Sequence, residues 1–226
     1  MVYFLKKLIY QYFNQHIDKY IISYSQLTIM ENHSVEIDNA LQTAKKYWTE
    51  TDWDLLYDQD GIKSEKKLFD TCPIYCHRIS AIIDKSNEQI VEEFWNMDME
   101  KCKKFDKSIV LYQEHESGAD WHLLAIRSAF GWPILPRETL GLQVKKYEGD
   151  TIWLISVSVE NEKYPCDDSV VRTKLHFDVA GLEKLDDNKT KYTKMTMIDP
   201  MGSIPSSIIN WFFGNRIHVV EVLRGK

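Results

Sequence analysis

The spacing of apolar residues changes near the C-terminus, from the alternation of a strand to the period of a helix. Residues 191–198 alternate as a β-strand does, with Met195 and Met197 on one face. After the turn at residues 199–202, apolar side chains recur three, four or seven positions apart: Ile204, Ile208, Trp211, Phe212, Val219 and Leu223. The pattern predicts a strand followed by an apolar helix that protein, lipid or ligand must cover.

Two residues mark where this terminal helix begins. Ser203 can cap it with its hydroxyl, and Pro205 lies in the first turn, where a missing N–H breaks no hydrogen bond. Further apolar residues widen the stripe: Ile209, Phe213, Ile217, Val220 and Val222. We therefore expect most of the circumference of the helix to be covered.

The chain before this switch has few helical patterns and many alternating ones. Residues 36–47 have the period of an amphipathic helix, and Ser86 with Gln89 forms a capping box before a short helix. A turn or second short helix follows at 97–104. Strands are predicted at about 62–69, 74–83, 106–116, 120–129, 138–147, 151–159, 169–180 and 190–198. Short, turn-rich connections favour an antiparallel sheet that must curl, and the last helix is the apolar element available to cover it.

The first 35 residues are predicted to be an extension of a domain at 36–226. An apolar helical stripe runs through residues 5–24, but its uninterrupted part is about half of the ~20 residues that a membrane-spanning helix requires. Three interpretations stay open: a helix packed on the domain, a membrane-surface or targeting helix, and a dispensable leader before Met30.

Composition narrows the possible partners. The chain of 226 residues is 44% apolar and 27% charged, with a net charge of -6, which argues against nucleic acid as the main partner. Four cysteines are too few for a disulfide framework at this length, so we expect reduced thiols in a cytoplasmic protein. Cys72, Cys76 and His77 lack a second ligand pair with zinc-finger spacing, and no metal is predicted.

Five motifs in order resemble the START domain family, the lipid-transfer domains related to steroidogenic acute regulatory protein. The resemblance runs from about residue 40 to the end of the chain. The motifs are Trp53-Asp54-Leu55-Leu56 with Asp60-Gly61, Pro136-Arg137-Glu138, Ser156-Val157-Ser158-Val159, Val170-Val171-Arg172, and Asp199-Pro200-Met201-Gly202-Ser203-Ile204-Pro205 with Ile209-Asn210.

The resemblance implies an α+β helix-grip fold, in which a curved antiparallel sheet and a long C-terminal helix enclose a hydrophobic cavity. It also implies that the cavity holds a single lipid, such as a phospholipid, a fatty acid or a sterol-like molecule, and that the protein carries it between membranes. We expect a monomer that touches membrane surfaces transiently, with no catalytic residue and no cofactor. Opening of the cavity is predicted at Gly131, Gly202 and Pro205.

The residues expected to contact the ligand follow from strand parity combined with the family positions. If Thr139 faces the cavity, so do Gly141 and Gln143. The predicted polar set is Asp106, Gln143, Arg172 and His176. The other predicted lining residues are Leu124, Ile126, Thr139, Met195, Met197, Ile208, Trp211 and Phe212.

Departures from the family's known sites leave the ligand open. Ile126, Thr139 and His176 stand where the choline-binding branch has an aromatic cage, so the cation–π stabilisation of a quaternary ammonium is lost. Leu124 and Gln143 stand where the sterol-binding branch has a buried acid and an arginine.

Two other functions stay open. A helix-grip hydrolase or cyclase would need a general acid or base, and His176 with Asp106 is the only pair that we can offer. A ligand-sensing regulatory module would use the terminal 30 residues to dock on a partner.

Overall fold

The computed structural model describes residues 29–69, 72–204 and 217–225. The chain divides into two compact units, residues 1–36 and residues 37–226. The first 28 residues lie outside the described part, so the three interpretations of the N-terminal extension stay predictions. Within the described residues, no helix is long and apolar enough to span a bilayer.

A ten-stranded sheet, curved and not closed into a barrel, forms the body of the second unit. Its order is β1-β2-β3-β10-β9-β7-β6-β5-β4, and all of these neighbours are antiparallel, whereas β8 pairs with β6 in parallel. The strands are β1 Asp54–Gln59, β2 Ile62–Phe69, β3 Cys72–Ile83, β4 Ile109–Ser117, β5 Trp121–Ser128, β6 Arg137–Glu148, β7 Thr151–Ser158, β8 Val171–Arg172, β9 Lys174–Asp186 and β10 Lys189–Asp199.

Four helices accompany the sheet in the described part of the chain: α1 Ser34–Trp48, α2 Asn87–Trp95, α3 Met99–Phe105 and α4 His218–Leu223. The predicted capping box is confirmed, because the Ser86 hydroxyl accepts from the Gln89 amide and the Gln89 side chain accepts from the Ser86 amide. Of the predicted C-terminal helix, residues 205–216 lie outside the described part, and α4, which begins after Ile217, is the helix described within its predicted range.

The predicted antiparallel α+β arrangement is confirmed, with two differences. Residues 54–59 form a strand that the sequence did not predict; it pairs with β2 through a tight turn in which Asp60 and Gly61 both have positive φ. The strand predicted at 169–180 is divided at Thr173, because β8 leaves the antiparallel ladder to pair with β6.

Cross-strand register gives the sheet two distinct faces. Thr196, Asp178, Ser156 and Gln143 stand opposite one another on β10, β9, β7 and β6, and we call the face that carries them the inner face. The neighbouring row belongs to the outer face and consists of Met195, Val179, Ile155 and Val144. All four residues of this outer row are buried, so the sheet is covered on its outer side as well.

The C-terminal half of α1 covers part of the outer face. Tyr47 packs its ring against Phe177 at 6.1 Å between centroids, and Trp48 meets Trp153 edge-on at 5.5 Å. Gly181 of β9 lies beneath the two tryptophans, where a Cβ atom would come within 2.9 Å of each ring. Glycine is therefore needed for this close approach of helix and sheet.

On the inner face, one end of the sheet is filled by a hydrophobic cluster in which helices meet strands. Ile90 of α2 and Val220 and Leu223 of α4 are fully or almost fully buried there, against Leu182 and Tyr192 of the sheet. Arg224 then donates hydrogen bonds to the backbone carbonyls of Asp60, Gly61 and Ile82, which fixes the end of α4 to the β1–β2 turn and β3. The rest of the inner face remains for a cavity.

Replacing Gly181 with alanine should lower the free energy of unfolding by about 1–3 kcal/mol, because Trp48 and Trp153 must move to admit the methyl group. The measurement is urea unfolding followed by tryptophan fluorescence. Gly141→Ala is the matched control, since a Cβ atom at this strand glycine would meet only ordinary contacts of 3.7 and 3.9 Å. Equal stability losses in the two variants would contradict the packing argument.

Candidate functional site

Two adjoining cavities lie over the inner face. The first, of about 280 Å³, has strands β4 to β7, β9 and β10 around it, and we call it the sheet cavity. The second, of about 580 Å³, lies between β2, β3, β10 and the beginning of α4, and we call it the α4 cavity. Asp106, Phe130 and Thr196 line both, so the two cavities meet at these residues.

Strand alternation on β5 and β6 brings most of the predicted lining residues together. Leu124 stands opposite Gly141 and Ile126 stands opposite Thr139, and all four residues line the sheet cavity together with Gln143. Asp106 also lines it, from the loop after α3, where its carboxylate accepts from the Ser108 amide. The predicted positions of these residues agree with the structure, whereas their binding of a ligand stays a prediction.

Arg172 and His176 lie elsewhere than the sequence predicted. The sheet cavity is lined instead by Thr173, which lies between β8 and β9, and by Leu175 and Asp178 of β9. A β-bulge lies at His176, because Met197 pairs with Phe177 while Ile198 pairs with Leu175. The bulge shifts the alternation by one residue, so even-numbered positions face the cavity only after it, beginning with Asp178.

Arg172 belongs to the outer face, where it holds a buried carboxylate. Its guanidinium lies 3.1 Å from Glu138, which Arg127 also contacts at 2.7 Å. Glu138 is buried, and its pairing with two arginines compensates the cost of burying its charge. Arg172 therefore braces the sheet on the side opposite the cavities.

Met195 and Met197 also face away from the cavities. They pair with Val179 and Phe177 and are buried on the outer face, whereas Thr196 and Ile198 line the sheet cavity. The sequence predicted correctly that the two methionines share one face of β10 but assigned that face to the ligand. The two methionines are buried because other elements cover the outer face. Part of this covering is α1, which lies more than 140 residues away in the chain.

The remaining predicted site residues belong to the terminal helix or to the predicted hinges at which the cavity would open. Pro205, Ile208, Trp211 and Phe212 lie outside the described residues. Gly131 and Gly202 have positive φ values of 84° and 76°, a backbone conformation that favours glycine. Their roles as hinges stay predictions.

Arg137 joins the two loops that border the sheet cavity. Its buried guanidinium donates to the carbonyls of Leu135, Pro200 and Met201. The first of these acceptors belongs to the β5–β6 loop, residues 129–136, and the other two follow β10. Arg137, Phe130 and Pro200 all line the sheet cavity, so the two loops form one of its borders.

A half-buried ion pair lies where the cavities meet. Lys194, which lines the α4 cavity, contacts the Asp178 carboxylate at 3.0 Å, and Thr196 donates to the same side chain at 3.3 Å. Sequence reasoning missed Lys194 and Asp178. The signal was present in β10, where Lys194 and Thr196 share the parity opposite to the methionines.

The described cysteines are free thiols with little reactivity. Burial raises the pKa of the Cys76 thiol to about 12, despite the opposing charge of Arg78. Burial, with a smaller contribution from Asp98, raises the pKa of Cys102 to about 11. Both thiols are therefore protonated at neutral pH and are poor nucleophiles. Within residues 29–69, 72–204 and 217–225, no three His, Cys, Asp or Glu side chains are grouped to hold a metal ion.

The sequence matches the family model of the START domain over residues 34–222, most of the chain. The chain belongs to the START domain family. Phosphatidylcholine transfer protein of Rattus norvegicus is 22% identical to this START domain over 175 residues, which are 75% of this chain and 80% of that protein.

Solved structures show the same fold. Human StAR-related lipid transfer protein 5 aligns with a TM-score of 0.76 at 17% identity, over 87% of this chain and 96% of that one. The STAR-related lipid transfer protein of Xanthomonas axonopodis aligns with a TM-score of 0.66 at 18% identity, over 76% and 97% of the two chains. The predicted helix-grip class is thereby confirmed, and these likenesses concern the fold alone.

Removing the Arg137 side chain should loosen both border loops at once. In Arg137→Ala, we expect backbone amides at 129–136 and 199–204 to exchange with deuterium at least tenfold faster, and the free energy of unfolding to fall by about 3 kcal/mol.

Arg224→Ala is the matched control, because Arg224 also donates to three backbone carbonyls but at the β1–β2 turn and β3. Faster exchange in this control should be confined to the region of residues 60–61 and 82. Acceleration of only one border loop in Arg137→Ala would show that the arginine does not join them.

Proposed function

We propose that this START domain holds one lipid in the two adjoining cavities and carries it between membranes. The observation that supports the proposal is the pair of adjoining cavities over the inner face, in a chain of this family. Its walls include Ile109, Leu124, Ile126, Leu175 and Ile198. Burying a hydrocarbon chain against such a wall contributes about 25 cal/mol for each Å² of apolar surface removed from water.

The proposal needs no chemical step. His176 and Asp106, the pair considered for an enzyme, do not line a common cavity among the described residues, since only Asp106 borders the two cavities. The function we propose therefore depends on cavity shape and apolar surface, with polar side chains selecting the ligand.

The lipid-binding domain extends over residues 36–226 in this proposal, and residues 1–35 are an extension to it. The C-terminal helix covers the cavities, with its described end held by Arg224. Free thiols at Cys76, Cys102 and Cys166 are consistent with the cytoplasm, where we infer that the protein acts as a monomer.

Exposed apolar residues beside the cavity border support a membrane contact. Trp132 is 96% exposed, Leu135 49% and Met201 42%. Trp132 and Leu135 belong to the β5–β6 loop and Met201 to the neighbouring loop, and Arg137 ties the two loops together. Aromatic and aliphatic side chains at this position can enter the interfacial region of a bilayer next to the place where lipid would pass.

Filling the sheet cavity should abolish lipid binding without unfolding the protein. Ile126→Trp places a large side chain on the cavity wall, so we expect at least a tenfold loss of affinity for fluorescent lipids. Val110→Trp, at an exposed position of the edge strand β4, is the control and should bind normally.

Native mass spectrometry of the protein from its own host should show one bound lipid per wild-type chain and none in Ile126→Trp. A wild-type protein that carries no lipid, binds no fluorescent lipid and moves none between vesicles would overturn the proposal.

Removing the exposed tryptophan should slow transfer but leave binding intact. We expect Trp132→Ala to lower the rate of lipid transfer between vesicles about tenfold, with an unchanged amount of lipid bound at equilibrium. Tyr147→Ala is the matched control, since Tyr147 is 61% exposed at the other end of β6. Equal transfer rates in all three proteins would exclude this loop as the membrane contact.

A further inference from the structure

A row of polar side chains crosses the inner face from β3 to β5. Backbone register places its members directly opposite one another on six neighbouring strands: His77, Thr196, Asp178, Ser156, Gln143 and His122. Side chains opposite one another in an antiparallel sheet have Cβ atoms about 4.5–5.5 Å apart. We call this continuous strip the polar row.

The polar row runs through both cavities. His77 lines the α4 cavity, Thr196 lines both, and Ser156 and Gln143 line the sheet cavity with Asp178. Apolar residues flank the row within the sheet cavity, among them Leu124 and Leu175. A ligand in the sheet cavity would therefore meet this polar band next to apolar wall residues such as Leu124, Ile126 and Leu175.

Three groups of the polar row, on Gln143, Ser156 and His122, have no hydrogen-bond partner among residues 29–69, 72–204 and 217–225. Neither Gln143 nor Ser156 has a side-chain hydrogen bond to any residue that the structure describes. His122 is 7% exposed and binds Glu114 at 2.5 Å through Nδ1, while its buried Nε2 has no partner in the described part of the chain. Burying polar groups without partners costs free energy, so a ligand that supplies donors and acceptors here would be stabilised.

Charges within the polar row cancel. Asp178 is the row's carboxylate at the junction of the cavities, and Lys194 neutralises it at 3.0 Å. Arg137 also lines the sheet cavity, but its guanidinium already donates to three backbone carbonyls. Lys107 and Asp106, side by side at the border of the α4 cavity, are exposed to water. On the row itself a charged headgroup would therefore meet no unpaired charge, and the donors of the neighbouring Arg137 are directed at backbone carbonyls.

We propose that the polar row selects a neutral lipid headgroup that carries hydroxyl or amide groups, and that it disfavours carboxylate and phosphate headgroups. Gln143 can both donate and accept, as can the hydroxyl groups of Ser156 and Thr196, which matches a hydroxyl or an amide. This inference rests on the proposed lipid-binding function and specifies its ligand class. Asp178 then acts by keeping the charge of Lys194 unavailable to anionic ligands.

The test compares binding of three fluorescent lipids with the same labelled acyl chain to the purified full chain: a ceramide, a free fatty acid and a phosphatidylcholine. The ceramide carries hydroxyl and amide groups without charge, and we expect it to bind at least tenfold more tightly than either of the others. An equal or higher affinity for the fatty acid or the phosphatidylcholine would overturn the inference and leave the proposed function standing. Failure of all three to bind would overturn both.

Asp178→Asn tests the charge argument directly. With Lys194 no longer neutralised, the affinity for the fatty acid should rise about tenfold, while that for the ceramide falls. Asp187→Asn is the matched control, because Asp187 also pairs with a lysine, at the exposed turn that joins the same two strands. An unchanged preference in Asp178→Asn, with a melting temperature close to that of the wild type, would contradict the role of the ion pair.

Gln143→Leu provides a second test that leaves the ion pair intact. The ceramide should bind about tenfold more weakly to this variant, because Leu cannot exchange hydrogen bonds with its hydroxyl and amide groups. A ceramide analogue in which both hydroxyl groups are methylated should lose much less. If both lipids lose affinity equally, Gln143 contributes to the shape of the cavity only, and the proposed recognition by the row is wrong.

Discussion

Cross-strand register is the constraint on which the rest of this START domain depends. The central strands are buried on both faces, so each residue serves either the outer covering or the cavity side, and its neighbours across the ladder must serve the same side. The bulge at His176 shows how strictly the register determines which side chains face the cavity. One extra residue in β9 shifts which side chains face the cavity, so that Leu175 and Asp178 face it although they differ in parity.

The two faces are completed by different means. On the outer face, α1 packs its aromatic residues closely against the sheet, and Gly181 makes the approach possible. On the inner face, α2 and α4 cover one end of the sheet. The polar row lies on the rest of this face, at positions where a close-packed core would have apolar side chains. Gln143 and Ser156 of this row make no side-chain hydrogen bond to the residues that the structure describes, which agrees with the proposal that the row faces a ligand.

The charged side chains of the sheet also fall into two groups, those that hold the fold together and those that lie beside the cavities. Glu138 is held on the outer face by Arg127 and Arg172, and Arg137 ties the border loops together through backbone carbonyls. These arginines have their partners within the fold. Asp178 and Lys194 lie instead at the junction of the two cavities, where, in the inference proposed here, their mutual neutralisation disfavours charged headgroups. The border loops, with the exposed Trp132, complete a route from cavity to membrane in the function proposed here.

The amino-acid sequence alone determined the α+β class, most strand positions, the capping box at Ser86 and the cavity-lining parity of β5 and β6, because these depend on local periodicity and turn chemistry. It also carried the motifs by which the family was recognised. Tertiary structure alone decided the placement of Arg172, His176, Met195 and Met197, since a bulge and the covering by a distant helix leave no local signal. The polar row likewise became visible only when register aligned residues from 77 to 196, because alignment across strands is a property of the folded sheet.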